Sequence, residues 1–192
     1  IEVGGSVELA EGDSWRGDFA PDTAVVVFGE DPYAEGVGDR EDLLFCDQNS
    51  KNQRLISKLR AQNIPIVSVM LTGRPLMVNS YITRSDAFVV AWLPGSEGGG
   101  VADVLVADDT GKPRFDFKGK LPFPWPNAEK NLENPDLPVS SILFERGFGR
   151  NYGDDIDLSG DLDTVACERK KLKPLIIFSG TTRNSFTAFI AE

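Results

Sequence analysis

Three nearly unbroken apolar runs, AVVVFG (24–29), IPIVSVMLT (64–72) and AFVVAWLP (87–94), set the tightest limit on how this chain folds. They do not alternate and are rich in valine and isoleucine, the pattern of parallel strands covered on both faces of a sheet. Parallel neighbours need a crossover between them, most often a helix. SKNQRLISKLRAQ (50–62) fills the first gap, with Leu55, Ile56 and Leu59 as a helical stripe. Asn49 or Ser50 suits its N-cap, and Asn63 with Pro65 stops it. PLMVNSYITRS (75–85) fills the second gap, with Pro75 suited to a first helical turn and Val78 and Ile82 on one face. GGGVADVLVADD (98–109) follows as a third, short helix. The order β-α-β-α-β-α predicts a doubly wound α/β/α sandwich with a mostly parallel sheet and right-handed crossovers. SVELA (6–10) is a further short strand candidate.

Beyond about residue 113 the pattern changes. GKLPFPWP (119–126) and LENPDLPVS (132–140) are proline-rich and read as extended chain crossing a surface. GDDIDLSGDLD (153–163) reads as an acidic linker; its spacing lacks the central glycine and terminal glutamate of a calcium loop. TVACER, PLIIFS and SFTAFIAE are short β-prone runs, the expected opening strands of a β domain that the chain does not finish. The expected division is therefore 1–152, a linker over 153–163, and 164–192.

Its 192 residues are enough to bury a real core. A net charge of −10 argues against a nucleic-acid or anionic-membrane surface, since both need a basic patch. No apolar run approaches the roughly 20 residues of a membrane helix. Ile1 is not an initiator, so the chain reads as a piece of something longer. Histidine is absent, which removes every His-based triad and His-bearing zinc site from this chain. Proton transfer must then use a carboxylate, Lys, Tyr or Cys. Cys46 and Cys167 have no CxxC spacing and read as incidental thiols or a disulfide.

In open α/β sheets the ligand crevice lies beyond the carboxyl ends of the strands. Three loops leave those ends: GEDPYAEGVGDRED, GRP (73–75) and PGSEGGG (94–100). Glu30, Asp31, Glu35, Asp39, Arg74 and Glu97 thus share one rim. Each has a plain structural role open to it. Glu30 and Asp31 can accept backbone N–H bonds or face a neighbouring domain, and Asp39 can tie its own turn. Arg74 can be a surface cation or the partner of one of these acids. Ser96 and Glu97 stand where a helix start needs acceptors. GSEGGG lacks the lysine and spacing of a phosphate cradle. Glu35 differs, because Ala34 and Gly36 leave its carboxylate free to project. Tyr33 nearby offers an apolar surface that raises a carboxyl toward the range of a general acid. A structural role stays open for it too, and one carboxylate cannot run a glycosidase.

GEDPYAEGVGDRED, LTGRPLMV, SDAFVVAWLPGSEGGGVADVL, GKLPFPWP and LFERGFG resemble, in order and spacing, the second domain of glycoside hydrolase family 3, over roughly residues 22–152. The resemblance is to the β-glucosidase and exo-1,3/1,4-β-glucanase branch. It implies a retaining exo-acting enzyme whose aspartate nucleophile lies in an N-terminal barrel, absent from this chain. It implies that Glu35, the second glutamate of the GE-x-PY-x-E-x-x-GD loop, is the general acid/base. Glu30 corresponds to the first, structural glutamate and Asp39 to the loop-closing aspartate. Tyr33, Asp39, Arg74 and Glu97 are the expected supports of the site. No metal or cofactor is implied. The implied partners are a β-glucan or β-glucoside and the barrel of the same polypeptide, in a secreted or periplasmic protein; the fragment alone is expected to be inactive. The tail resembles the start of a C-terminal β-sandwich found in some bacterial members. A non-catalytic carbohydrate-binding module is the alternative. The β-N-acetylglucosaminidase branch resembles this chain less, since its acid/base usually comes from the first domain.

Overall fold

The computed structural model describes residues 9, 15, 21–31, 33, 36, 43–45, 51–127, 142–154 and 162. Both cysteines, the start of the first helix, LENPDLPVS and the predicted β tail fall outside them; of the SVELA candidate only residue 9 is described, and of the linker only 153, 154 and 162.

All three apolar runs are strands: β1 (Ala24–Gly29), β2 (Ile66–Leu71) and β3 (Ala87–Trp92). They form one parallel sheet in the order β1-β2-β3. Two helices occupy their predicted places, α1 (Lys51–Ala61) and α3 (Gly98–Leu105), while α2 (Asn79–Ile82) is a single turn. The register of β1 on β2 is regular from Ala24↔Ile66 to Gly29↔Leu71. β3 slips against β2 at Met70/Leu71, and Trp92 there adopts φ 56°.

The core lies on one face of the sheet. Val26 and Phe28 of β1 point into it with Ile66 and Met70, and Ile56 and Leu59 of α1 pack there as the stripe predicts. Phe28, Phe45 and Tyr81 form an aromatic triangle, with ring centroids 4.7–5.5 Å apart. The other face of β1 is open, with Val25 56% and Val27 57% exposed. α1 ends as the sequence indicates. Asn63 takes the left-handed φ of 56° that closes a helix C-terminus, and the Ile64 N–H returns to the Leu59 carbonyl.

Three expectations need correction. The strands are not all covered on both faces, since Val25 and Val27 leave one face of β1 open. Pro75 does not open α2, which begins at Asn79; the intervening Met77 instead bridges to Leu44 as an isolated parallel pair. GKLPFPWP does not merely cross the surface. Trp125 is 2% exposed, its indole Nε1–H donates to the Leu76 carbonyl at 2.8 Å, and its ring lies 5.9 Å from Trp92. β4 (Trp125–Pro126) pairs antiparallel with β5 (Ile142–Phe144) and so seats the indole in the core. Proline density tracks a broken backbone ladder, whereas one large aromatic sets where such a segment is buried.

Trp125→Ala should therefore lower the unfolding free energy of the chain by about 3–5 kcal/mol. Trp125→Phe should cost about 1–3 kcal/mol, because the Leu76 carbonyl loses its donor. Urea titration measures both; a change below that range for Trp125→Ala would put the segment back on the surface.

Candidate active site

The carboxyl ends of β1 and β2 come together because their register does. Gly29 pairs with Leu71, so Glu30 and Thr72 leave the sheet side by side. The approach is close: a Cβ on Gly29 would meet the Leu71 carbonyl oxygen at 2.3 Å. Glu30 continues the ladder for one more step, its N–H donating to the Leu71 carbonyl at 3.3 Å.

The Glu30 carboxylate then collects donors from two residues, and a third stands beside it. Arg74 Nη2 reaches Oε1 at 2.7 Å, and Arg74 Nε stands 3.2 and 3.3 Å from the two oxygens. The Tyr33 hydroxyl donates to Oε2 at 3.2 Å. Thr72 Oγ1 also lies 3.2 Å from Oε2, but its one proton is nearer the Arg74 carbonyl, at 2.7 Å, and it accepts from the Arg74 N–H. The Arg74 guanidinium stands 5.3 Å over the Tyr33 ring. Side chains of Glu30 and Arg74 are 10% and 19% exposed. This is a two-pronged, charge-assisted pair largely shielded from water, not a surface ion pair.

The third loop joins through the backbone. The Thr72 N–H donates to the Trp92 carbonyl at 3.1 Å. Leu93 then lies over Gly73, with its Cδ1 and the Tyr33 hydroxyl flanking the glycine. Glu97 stays outside this cluster. It is exposed, its carboxylate accepts from Ser96 Oγ at 3.1 Å, and no side chain caps the start of α3. Of the predicted site residues, Tyr33 and Arg74 are thus brought together. Glu35 and Asp39 lie outside the described residues. Gly36 is described, and its φ of +84° is a left-handed turn that favours glycine. Among the described residues no group of three or more Cys, Asp or Glu side chains could hold a metal ion.

A concavity of about 410 Å³ runs along β3 and is lined by Phe88, Val90, Trp92, Trp125, Phe148 and Tyr152, among others. Among the described residues its charged lining is Lys120 and Arg150, with no carboxylate. It offers mainly apolar contact, whereas the Glu30 carboxylate and its partners gather at the rim.

Residues 19–152 match the pattern of the glycosyl hydrolase family 3 C-terminal domain. The chain belongs to that family. It is 32% identical over 160 residues to a periplasmic beta-glucosidase of Salmonella typhimurium, covering 76% of this chain and 20% of the relative. It is 30% identical over 155 residues to a lysosomal beta glucosidase of Dictyostelium discoideum, covering 77% and 17%. Among solved structures, an exo-1,3/1,4-beta-glucanase from a Pseudoalteromonas species superposes with a TM-score of 0.71 at 45% identity, covering 85% of this chain and 20% of that one. A point variant of the same glucanase gives 0.64 at 48% identity, covering 75% and 24%. The chain therefore spans about a fifth of the length of the relatives it matches.

Within this family 3 domain, sequence reasoning placed Glu30 on the rim in a structural role but did not single out Thr72 or the choice of Glu30 as the partner of Arg74. The signal for them is register. Once β1 and β2 are aligned, Glu30 must stand beside Thr72, and Arg74 follows two residues on.

Gly29→Ala should destabilise the chain by about 1–3 kcal/mol, since the added methyl meets strand backbone that cannot yield. Gly99→Ala, whose Cβ meets open space on a helix, should instead be neutral or stabilising by up to about 1 kcal/mol. Chemical denaturation of the two variants checks the contrast.

Proposed function

We propose that this chain supplies the general acid/base of a retaining, exo-acting β-glucan hydrolase that releases glucose from non-reducing ends. The observation that carries the proposal is the family 3 match over residues 19–152, which includes the whole GEDPYAEGVGD loop. The anchoring of Tyr33 two residues before Glu35 supports it, since a proton donor needs a stiff approach. The nucleophile, an aspartate, belongs to a barrel domain of the same polypeptide, in keeping with the small share of each relative that this chain spans. Tyr33, Asp39 and Arg74 support the site from the rim, whereas the exposed Glu97 stands apart from it.

Two displacements make up the reaction. An aspartate oxygen bonds to the anomeric carbon while the glycosidic C–O bond breaks and its oxygen takes the Glu35 proton. The resulting Glu35 carboxylate then removes a proton from water, whose oxygen bonds to the anomeric carbon as the glycosyl–aspartate bond breaks. Glucose leaves and both carboxyl groups return to their starting states. The two carboxyls stand about 5–5.5 Å apart in enzymes of this stereochemistry. The periplasmic relative favours a secreted or periplasmic parent, and the substrate is a β-glucan or β-glucoside. The isolated chain turns over nothing.

Glu35→Ala in the full-length polypeptide should reduce kcat/KM about 10²–10⁴-fold on substrates with poor leaving groups. An aryl glucoside that departs unassisted should lose far less. Equal losses on both would reject the assignment. Calorimetry of the isolated chain with laminarin oligosaccharides should register weak binding at most; tight binding would favour a binding module.

A further inference from the structure

We propose that Glu30 is a positioning residue for the proton donor of its own loop, acting through Arg74, Thr72 and Tyr33. The inference rests on the proposed role of Glu35.

The geometry asks more of Glu30 than strand termination. A carboxylate that merely ended a strand would need one or two backbone donors. This one instead takes side-chain donors from residues 33 and 74, with Thr72 Oγ1 beside it at 3.2 Å, binding its own loop to the end of β2. Tyr33 is fixed twice, by its hydroxyl on Oε2 and by its ring under the Arg74 guanidinium, although 37% of it is exposed. Thr72 is 1% exposed and locks Arg74 at both its N–H and its carbonyl. Trp92 holds Thr72 from the end of β3, and does so with a left-handed backbone that disfavours any side chain with a Cβ. Strain of that kind persists only where the surroundings over-determine the conformation.

The consequence reaches along the loop. Glu30 and Tyr33 fix its start, and Glu35 follows Tyr33 across a single alanine. A proton donor works only within hydrogen-bond reach of the leaving oxygen, about 2.6–3.2 Å. A misplacement of about 1 Å costs on the order of 10²-fold in rate. Arginine is the fitting partner, because its planar fork binds both carboxylate oxygens and also stacks on an aromatic face.

The test is a leaving-group series of aryl β-glucosides on the full-length enzyme with Glu30→Gln, Arg74→Lys and Tyr33→Phe, each alone and in a Glu35→Ala background. Glu30→Gln should lose about 10–100-fold in kcat/KM on the poorest leaving groups and under about 3-fold on activated ones, the pattern of a displaced donor. Tyr33→Phe leaves the ion pair intact and guards against misfolding of the others; it should give a smaller loss with the same selectivity. None should add to the selective loss of Glu35→Ala, since residues that act through one group are not additive. A thermal melt of each variant separates lost enzyme from misplaced donor. A uniform loss across the series for Glu30→Gln and Tyr33→Phe, or losses that add to Glu35→Ala, would overturn the inference while leaving Glu35 as the donor. A uniform loss for Glu35→Ala itself would overturn the reading of Glu35, and this inference with it.

Discussion

The parallel register of β1 on β2 is the constraint from which the rest of the rim follows. It is unbroken over six residue pairs and ends where Gly29 brings the backbones too close for any side chain. Side chains in register on neighbouring parallel strands share a row. Glu30 and Thr72 therefore emerge as neighbours although 42 positions separate them, and Arg74 needs only one intervening glycine to turn back onto the carboxylate. The β2–β3 edge is different. Its register slips at Met70/Leu71, and the slip turns the Trp92 carbonyl onto the Thr72 N–H. One regular edge and one irregular edge thus deliver three loops to a single cluster.

Much of the fold was legible in the sequence, for reasons that particular residues make plain. Val25, Val27, Ile66 and Val67 state a strand by β-branching and run length, and Leu55, Ile56 and Leu59 state a helix by period. Asn63 and Pro65 state the stop, and the left-handed asparagine bears that out. Local signals failed where tertiary contacts decide. Pro75 matches a helix start, but Met77 finds a strand-like partner in Leu44, and the helix waits until Asn79. Prolines around Trp125 suggest surface chain, yet the indole finds a buried carbonyl. At the rim, sequence placed Arg74 near the acids without choosing among them. The choice of Glu30 is a matter of alignment between strands, which composition does not carry.

The groove along β3 and the rim at the strand ends divide the chemistry of the domain. Along β3 the walls are aromatic and aliphatic, and the charged side chains are basic. At the carboxyl ends of β1 and β2 the walls are polar, and the charges are paired. The glycoside chemistry proposed for the parent enzyme requires a carboxyl group that can meet a substrate oxygen. Among the described residues, the β3 groove contributes none.

That requirement also separates the two glutamates of the GEDPYAEGVGD loop. Both belong to the same few residues of chain and share the same chemistry in isolation. Both oxygens of Glu30 are engaged by Arg74 and Tyr33 and its side chain is 10% exposed, which leaves little of it open to any further partner. Its neighbour Asp31 is exposed but stands beside the strand end, before the chain has reached Tyr33. A loop held at its base by one saturated carboxylate can present a second one farther along without the two competing for the same cation. The occupied first glutamate is the anchor of its loop, and on the proposed reading proton transfer falls to a residue beyond Tyr33.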